Sequence, residues 1–254
     1  MRLKDKIIVV TGGTSGIGLA AAKLLAGEGA NVAITGRDEA KLHRAVETIG
    51  HGAIALRADS NDYAQSQHAF GHVAERLGKL DGVFVNAGFA GVTPLGAATP
   101  ELFASLVQSN FTSAFFTAQA AVPHLKDGAS LVFNGSVLAT LGMQGWSAYG
   151  GAKAAVRAMV RILASELAPR RIRVNQVTPG GTKTPIWDSI IPLDVLESRI
   201  VAATPLARMT EAGDVARAVV FLLSDDAQQI TGTEIVVDGG ATQSPAGAPI
   251  YQAS

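Results

Sequence analysis

Seven short aliphatic runs, separated by stretches with helical spacing, set what this chain can fold into. The runs are Ile7–Val10, Asn31–Thr35, Ala53–Arg57, Leu80–Val85, Ser130–Asn134, Arg173–Val177 and Glu234–Val237. Most are apolar on both faces, the pattern of strands covered by helices on two sides. Between them apolar residues recur near every 3.6 positions. From Ala152 to Leu167 they fall at Val156, Met159, Val160, Leu163 and Leu167, and further on at Val215, Ala218, Val219, Leu222 and Leu223. Alternation of this kind implies right-handed crossovers. The expected fold class is α/β, a doubly wound parallel sheet of about seven strands with helices on both faces.

Composition removes several functions. Lys and Arg number 21, as do Asp and Glu, so no polybasic surface is available to hold nucleic acid or anionic lipid. Cysteine is absent, which excludes disulfides, a thiolate nucleophile and Cys-ligated zinc. The run Ile7–Val10 is too short for the apolar core of a signal peptide, and no stretch approaches the ~18 apolar residues of a membrane span. A cytoplasmic protein with no nucleic-acid or membrane partner is expected. Residues 1–254 read as a single domain with two irregular parts. Thr182–Pro205 is apolar but broken by prolines, and its residues 184–205 read as a mobile substrate flap. The tail Ser244–Ser254 lacks periodicity and is expected on the surface.

The stretch Thr11-Gly12-Gly13-Thr14-Ser15-Gly16-Ile17-Gly18 follows the first strand and opens the first helix. Glycines there allow a sharp turn and a close approach to a pyrophosphate, and the helix N-terminus offers free N–H groups. This is a Rossmann-type phosphate turn. Its spacing, T-G-x-x-x-G-x-G, resembles that of the short-chain dehydrogenase/reductase family, and the resemblance runs from Lys4 to Gly240. It implies a nicotinamide dinucleotide bound by Thr11, Gly12, Thr14, Ser15, Gly16, Ile17 and Gly18. It further implies that Asp59 and Ser60 lie near the adenine, and that Asn86, Ala87 and Gly88 leave room for a ribose.

The second strand ends in Gly36 followed by Arg37, where an acid would bind the ribose hydroxyls of NAD. A guanidinium suits a phosphate monoester instead, so NADP(H) is the expected cofactor, with NAD(H) as the alternative. The second basic residue that NADP-binding relatives often carry in the glycine turn is here replaced by Ser15.

Tyr149 and Lys153 are four residues apart and share a helix face. A phenol with a pKa near 10 is a poor acid or base at neutral pH, and a neighbouring ammonium is expected to lower it. With Ser136 and Asn110 these residues match the family's catalytic tetrad. The resemblance implies that Tyr149 is the general acid or base and that Ser136 holds the substrate oxygen. By the same resemblance Lys153 holds the nicotinamide ribose and tunes Tyr149, and Asn110 holds a relay water. Pro179 and Gly180 would touch the nicotinamide, and Thr184 or Thr182 its carboxamide. Tyr149 and Lys153 thus count among the cofactor contacts as well.

The expected substrate pocket is Leu138, Gln144, Trp146, Gly181, Ile186 and Trp187, which suits a mostly apolar small molecule. His68 and His72 have the i, i+4 spacing of metal ligands, but nothing joins them, and no metal site is expected. The expected function is NADP(H)-dependent interconversion of a carbonyl and an alcohol. A 3-oxoacyl-thioester reductase is the alternative within the class, and a non-catalytic NADP-binding regulator the alternative outside it. By resemblance, a homotetramer or homodimer is expected, built from helices near Glu101–Leu125 and Ala148–Leu167.

Overall fold

The computed structural model describes residues 1–188 and 190–251. In chain order its strands are β1 (Ile7–Thr11), β2 (Asn31–Gly36), β3 (Ile54–Arg57), β4 (Leu80–Val85), β5 (Leu125–Asn134), β6 (Arg173–Pro179), β7 (Thr182–Lys183), β8 (Thr210–Glu211) and β9 (Glu234–Val237). The helices are α1 (Gly16–Gly27), α2 (Glu39–Ile49), α3 (Tyr63–Leu77), α4 (Pro100–Val107), α5 (Ser113–Ala121), α6 (Ser147–Leu167), α7 (Leu193–Ala203) and α8 (Ala212–Leu223). Seven strands form one parallel sheet in the order β3-β2-β1-β4-β5-β6-β9, while β7 and β8 pair separately. The expected doubly wound sheet is what forms, and its order reverses between β1 and β4, where such sheets bind ligands.

Strand alternation divides the core. Phe84 of β4 joins Leu25 of α1 and Val215 and Val219 of α8 on one face. Its neighbours Val83 and Val85 join Phe70 of α3, Ala118 of α5 and Val156 of α6 on the other. Phe84 is fully buried. Phe84→Ala is therefore expected to cost about 3–5 kcal/mol in urea unfolding, and a loss below ~1 kcal/mol would contradict this packing.

Local chemistry fixes the helix starts. The Asp38 carboxylate accepts from the Lys41 N–H to cap α2, and Asp62 accepts from Gln65 N–H to cap α3. Thr99 caps α4, whose first residue is Pro100. Each cap satisfies an N–H that the helix itself leaves free.

Four expectations are corrected. The helix expected near Glu101–Leu125 is broken into α4, a π turn at Gln108–Thr112 and α5. There Asn110 Nδ2 donates to Leu106 O and Ser113 Oγ to Ser109 O, so side chains engage the carbonyls of the helical ladder. β5 begins at Leu125, not Ser130, because Lys126, Asp127 and Gly128 are exposed and carry no apolar signal. The stretch 182–205 is not irregular: it holds β7, a 3-10 turn at Pro185–Trp187 and α7. The tail is not simply a surface strand of chain. It forms turns at Pro245–Gly247 and Pro249–Tyr251, and Ala248 between them is fully buried. Ser189 and residues 252–254, which belong to these two expectations, lie outside the described residues.

Candidate active site

The site grows from the C-terminal ends of β1, β4 and β5. Thr11 Oγ1 at the end of β1 accepts from the N–H groups of Asn86 (3.0 Å) and Ala87 (3.2 Å). Asn86 Nδ2 returns hydrogen bonds to Thr11 O (3.0 Å) and Gly12 O (3.2 Å). Asn134 Nδ2, at the end of β5, donates to Asn86 Oδ1 (2.9 Å). Lys153 Nζ, from α6, donates to Asn134 O (2.8 Å). A polar ladder thus connects the glycine turn to the lysine across three adjacent strands. Asn134 was not foreseen; one polar residue closing an apolar strand carries no distinguishing pattern.

Gly12 turns with φ +65, and Gly18 packs beneath it, where a Cβ would lie 2.2 Å from Gly12 O. Ser15 is the N-cap of α1 and makes no side-chain cap bond. The first N–H groups of α1, which no helix pairs internally, also lack a side-chain cap from Ser15 and could hold an anion. They open on a groove of about 440 Å³ lined by Gly12, Thr14, Ser15, Gly16 and Ile17. Arg37, Asp59, Ser60, Asn86, Ala87, Gly88 and Thr184 line the same groove. Thr11 and Gly18 do not: the first is the clamp and the second the spacer behind the turn. Asp59 does not cap α3, a role that Asp62 takes; its Oδ1 accepts from Asn61 N–H (3.0 Å) at the edge of the groove.

Lys41 also lines the groove and was missed by the sequence reasoning. It stands four residues after Arg37, on the first turn of α2, so the second cation comes from that helix rather than from the glycine turn. A second basic residue close behind Arg37 in the sequence was the available signal.

A second chamber, of about 600 Å³, adjoins the groove at Ile17, Asn134, Thr184 and Ile186. Ser136 and Tyr149 line it, with Leu138, Trp146, Gly181, Ile186 and Trp187 from the expected pocket. Gln144 does not; its side chain is exposed on the outside of the loop. Pro179, Gly180 and Thr182 also lie on the chamber, where Thr182 Oγ1 donates to Gly180 O (3.0 Å) and Trp187 Nε1 donates to Thr182 O (2.8 Å). Unforeseen walls come from Leu196 and Ile200 of α7 and from Pro245, Ile250 and Tyr251 of the tail.

Ser136 and Tyr149 both line the chamber, and the serine side chain acts on the phenol to favour its ionised form. Ser136 Oγ accepts from Leu138 N–H (3.2 Å), which fixes its direction. The ring of Trp146 meets Tyr149 edge-on, with centroids 5.7 Å apart. Lys153 is buried behind Tyr149, its Nζ 5.6 Å from the ring centroid.

The expected acidification of the phenol is not what this arrangement produces. Burial pushes Tyr149 up to about 12, and the Ser136 side chain only partly opposes it. Burial also pulls Lys153 down to about 8. Loss of water opposes charge on both groups, and the amine hydrogen-bonds to Asn134 O.

Asn110 sits in the π turn, 2 % exposed. Its Nδ2 donates to Phe89 O (2.8 Å) and Leu106 O (2.9 Å), which leaves Oδ1 as a buried acceptor without a protein partner. A fixed, unpaired carbonyl of this kind is suited to hold a water. Among the described residues no group of three or more His, Asp or Glu side chains could hold a metal, and no helix is long and apolar enough to cross a membrane.

A family model described as enoyl-(acyl carrier protein) reductase matches residues 12–242. The chain is 35% identical to an NADP-dependent (R)-specific alcohol dehydrogenase of Lentilactobacillus kefiri, covering 95% of this chain and 98% of that one. It is 34% identical to a cyclopentanol dehydrogenase of Comamonas testosteroni, with the same coverage. Among solved structures, a short-chain dehydrogenase/reductase (glucose/ribitol dehydrogenase) from Brucella melitensis superposes with TM-score 0.91 at 29% identity, over 95% of this chain and 98% of that one. Levodione reductase superposes with TM-score 0.88 at 30% identity, over 94% and 98%.

Proposed function

Because the chain belongs to the short-chain dehydrogenase/reductase family, oxidoreductases acting on CH–OH or C=O groups, we propose that it interconverts a ketone and a secondary alcohol on a mostly apolar small molecule with NADP(H). One observation carries this reading. Two hydroxyl side chains, Ser136 and Tyr149, line an apolar chamber that adjoins the groove beside the glycine turn.

The residues present fit the dinucleotide. The glycine turn and the free N–H groups of α1 would hold its diphosphate, and Arg37 and Lys41, beside Gly36, its ribose phosphate. When bound, the nicotinamide supplies or accepts the hydride. The protein does the rest. Ser136 donates to the carbonyl oxygen and stabilises its developing charge. Tyr149 Oη gives that oxygen a proton in reduction and removes one in oxidation. Lys153, fixed on Asn134 O, stands behind the phenol, and Asn110 Oδ1 offers a seat for a relay water. Assembly would use α4, α5 and α6, which leave Phe103, Phe115 and Ile162 exposed.

Arg37→Ala is expected to shift the NADP/NAD preference toward NAD by about 10–100-fold, the worth of one charge-assisted contact. Kinetics with both cofactors check it, and an unchanged ratio removes Arg37 from the argument. The reaction itself is tested by loss of reduced-nicotinamide absorbance with ketones, keto esters and 3-oxoacyl thioesters. Turnover of thioesters alone would support the thioester reductase, and tight NADPH binding without any turnover the regulatory protein.

A further inference from the structure

Taking Ser136 and Tyr149 as the reaction centre, we propose that the chain's own segment Pro245–Tyr251 is the specificity-determining wall of the substrate chamber, and that the substrate lays a bulky uncharged ring against it. The chamber of about 600 Å³ is far larger than a carbonyl and two methyl groups. Its reaction end is bounded by aromatic edges: Trp146 meets Trp187 in a T-shaped contact at 5.8 Å and Tyr149 at 5.7 Å. Pro245, Ile250 and Tyr251 of the tail supply another part of the chamber wall.

That segment is anchored rather than loose. Ala248 is fully buried, its N–H donates to Pro245 O (2.9 Å), and Tyr251 N–H donates to Ala248 O (3.0 Å). The anchor presents Ile250 and Tyr251 to the chamber, yet they remain 52% and 64% exposed. Two large apolar side chains held in water at the rim of an apolar cavity gain when a ring covers them. The charged groups on the wall are of both signs, Asp238 and Arg199, so the lining as a whole does not select an anionic end group. The Asp238 carboxylate is occupied by the N–H groups of Gly240 and Thr242 and by Thr242 Oγ1. Arg199 lies on the chamber wall as an exposed cation, without a hydrogen-bond or ion-pair partner among the described residues.

The test uses the full-length enzyme with NADPH and three probes: acetone, 1-indanone and 4-oxopentanoate. Wild type is compared with Ile250→Ala, Tyr251→Ala and the double variant. The ratio of kcat/KM for 1-indanone over acetone should fall about tenfold or more in the double variant, chiefly through KM, the scale of effect that lost methylenes have in an apolar pocket. Unchanged thermal midpoint and NADPH affinity would show that the fold persists. An unchanged ratio overturns the proposal. So does a wild-type preference for 4-oxopentanoate over 1-indanone, which would assign the chamber to Arg199 and a carboxylate. If wild type reduces no ketone at all, the hydride-transfer reading fails first, and the two failures are told apart.

Discussion

Tyr149→Phe is expected to lower kcat for ketone reduction by about 10²–10⁴-fold, the usual contribution of a positioned general acid. NADPH affinity should stay nearly the same, because Tyr149 lines the chamber and not the groove beside the glycine turn. Steady-state rates and a titration of NADPH fluorescence check both halves, and near-normal turnover would refute the role. The pH dependence follows from burial. A phenol pushed up to about 12 is protonated throughout the neutral range, so reduction has its acid ready, whereas oxidation needs the phenolate and should quicken as pH rises. Tyr149→Phe should abolish that rise. The sign for stability is the same. The folded value lies above the ordinary 10, so this group's contribution is whole below pH 10 and is lost as pH climbs through about 12. Lys153 runs the other way. At about 8 against an ordinary 10.5, its contribution is present above pH 10.5 and is lost as pH falls through 8.

Gly18→Ala should nearly abolish cofactor binding. The added Cβ would sit 2.2 Å from Gly12 O and 2.6 Å from Asn86 Nδ2. Those are the atoms of the clamp, since Asn86 Nδ2 bonds Gly12 O and Thr11 O. Either α1 backs away from the turn or the clamp opens, and both move the N–H groups that face the phosphates. Overpacking of this kind costs about 1–3 kcal/mol or more in stability, and NADPH affinity should fall by about two orders of magnitude. Gly27→Ala, at the other end of the same helix, is the control: nothing lies within 4 Å of its added Cβ. Wild-type affinity in Gly18→Ala would show that the turn tolerates displacement.

What the sequence revealed, and what it concealed, has a physical basis. β1 and β4 were legible because both of their faces are covered, so most of their residues are apolar, whereas β6 is buried along its length yet carries Arg173, Asn175, Gln176 and Thr178. β5 was half legible: its exposed start at Lys126–Gly128 hides a strand paired through Leu125 with Leu80. The glycine turn and the Tyr149/Lys153 pair were legible because their chemistry is local. The break at Asn110 depends on which carbonyl a side chain selects, and no spacing encodes that choice. The tail's place over the chamber was hidden for a similar reason. It arises from contacts with distant parts of the chain, not from a period within the tail. The phenol's pKa was misjudged because spacing shows the nearby cation but not the loss of water around both groups.

The ladder from Thr11 through Asn86 and Asn134 to Lys153 has an architectural consequence. Neighbouring strands are spaced about 4.8 Å apart by their backbone hydrogen bonds. The separation between the glycine turn and Lys153 is therefore inherited from the pitch of the sheet, not negotiated by loops. Evolution can remodel the roof formed by α7 and the tail without disturbing the gauge beneath it, so new substrates can be admitted while the reacting groups keep their alignment.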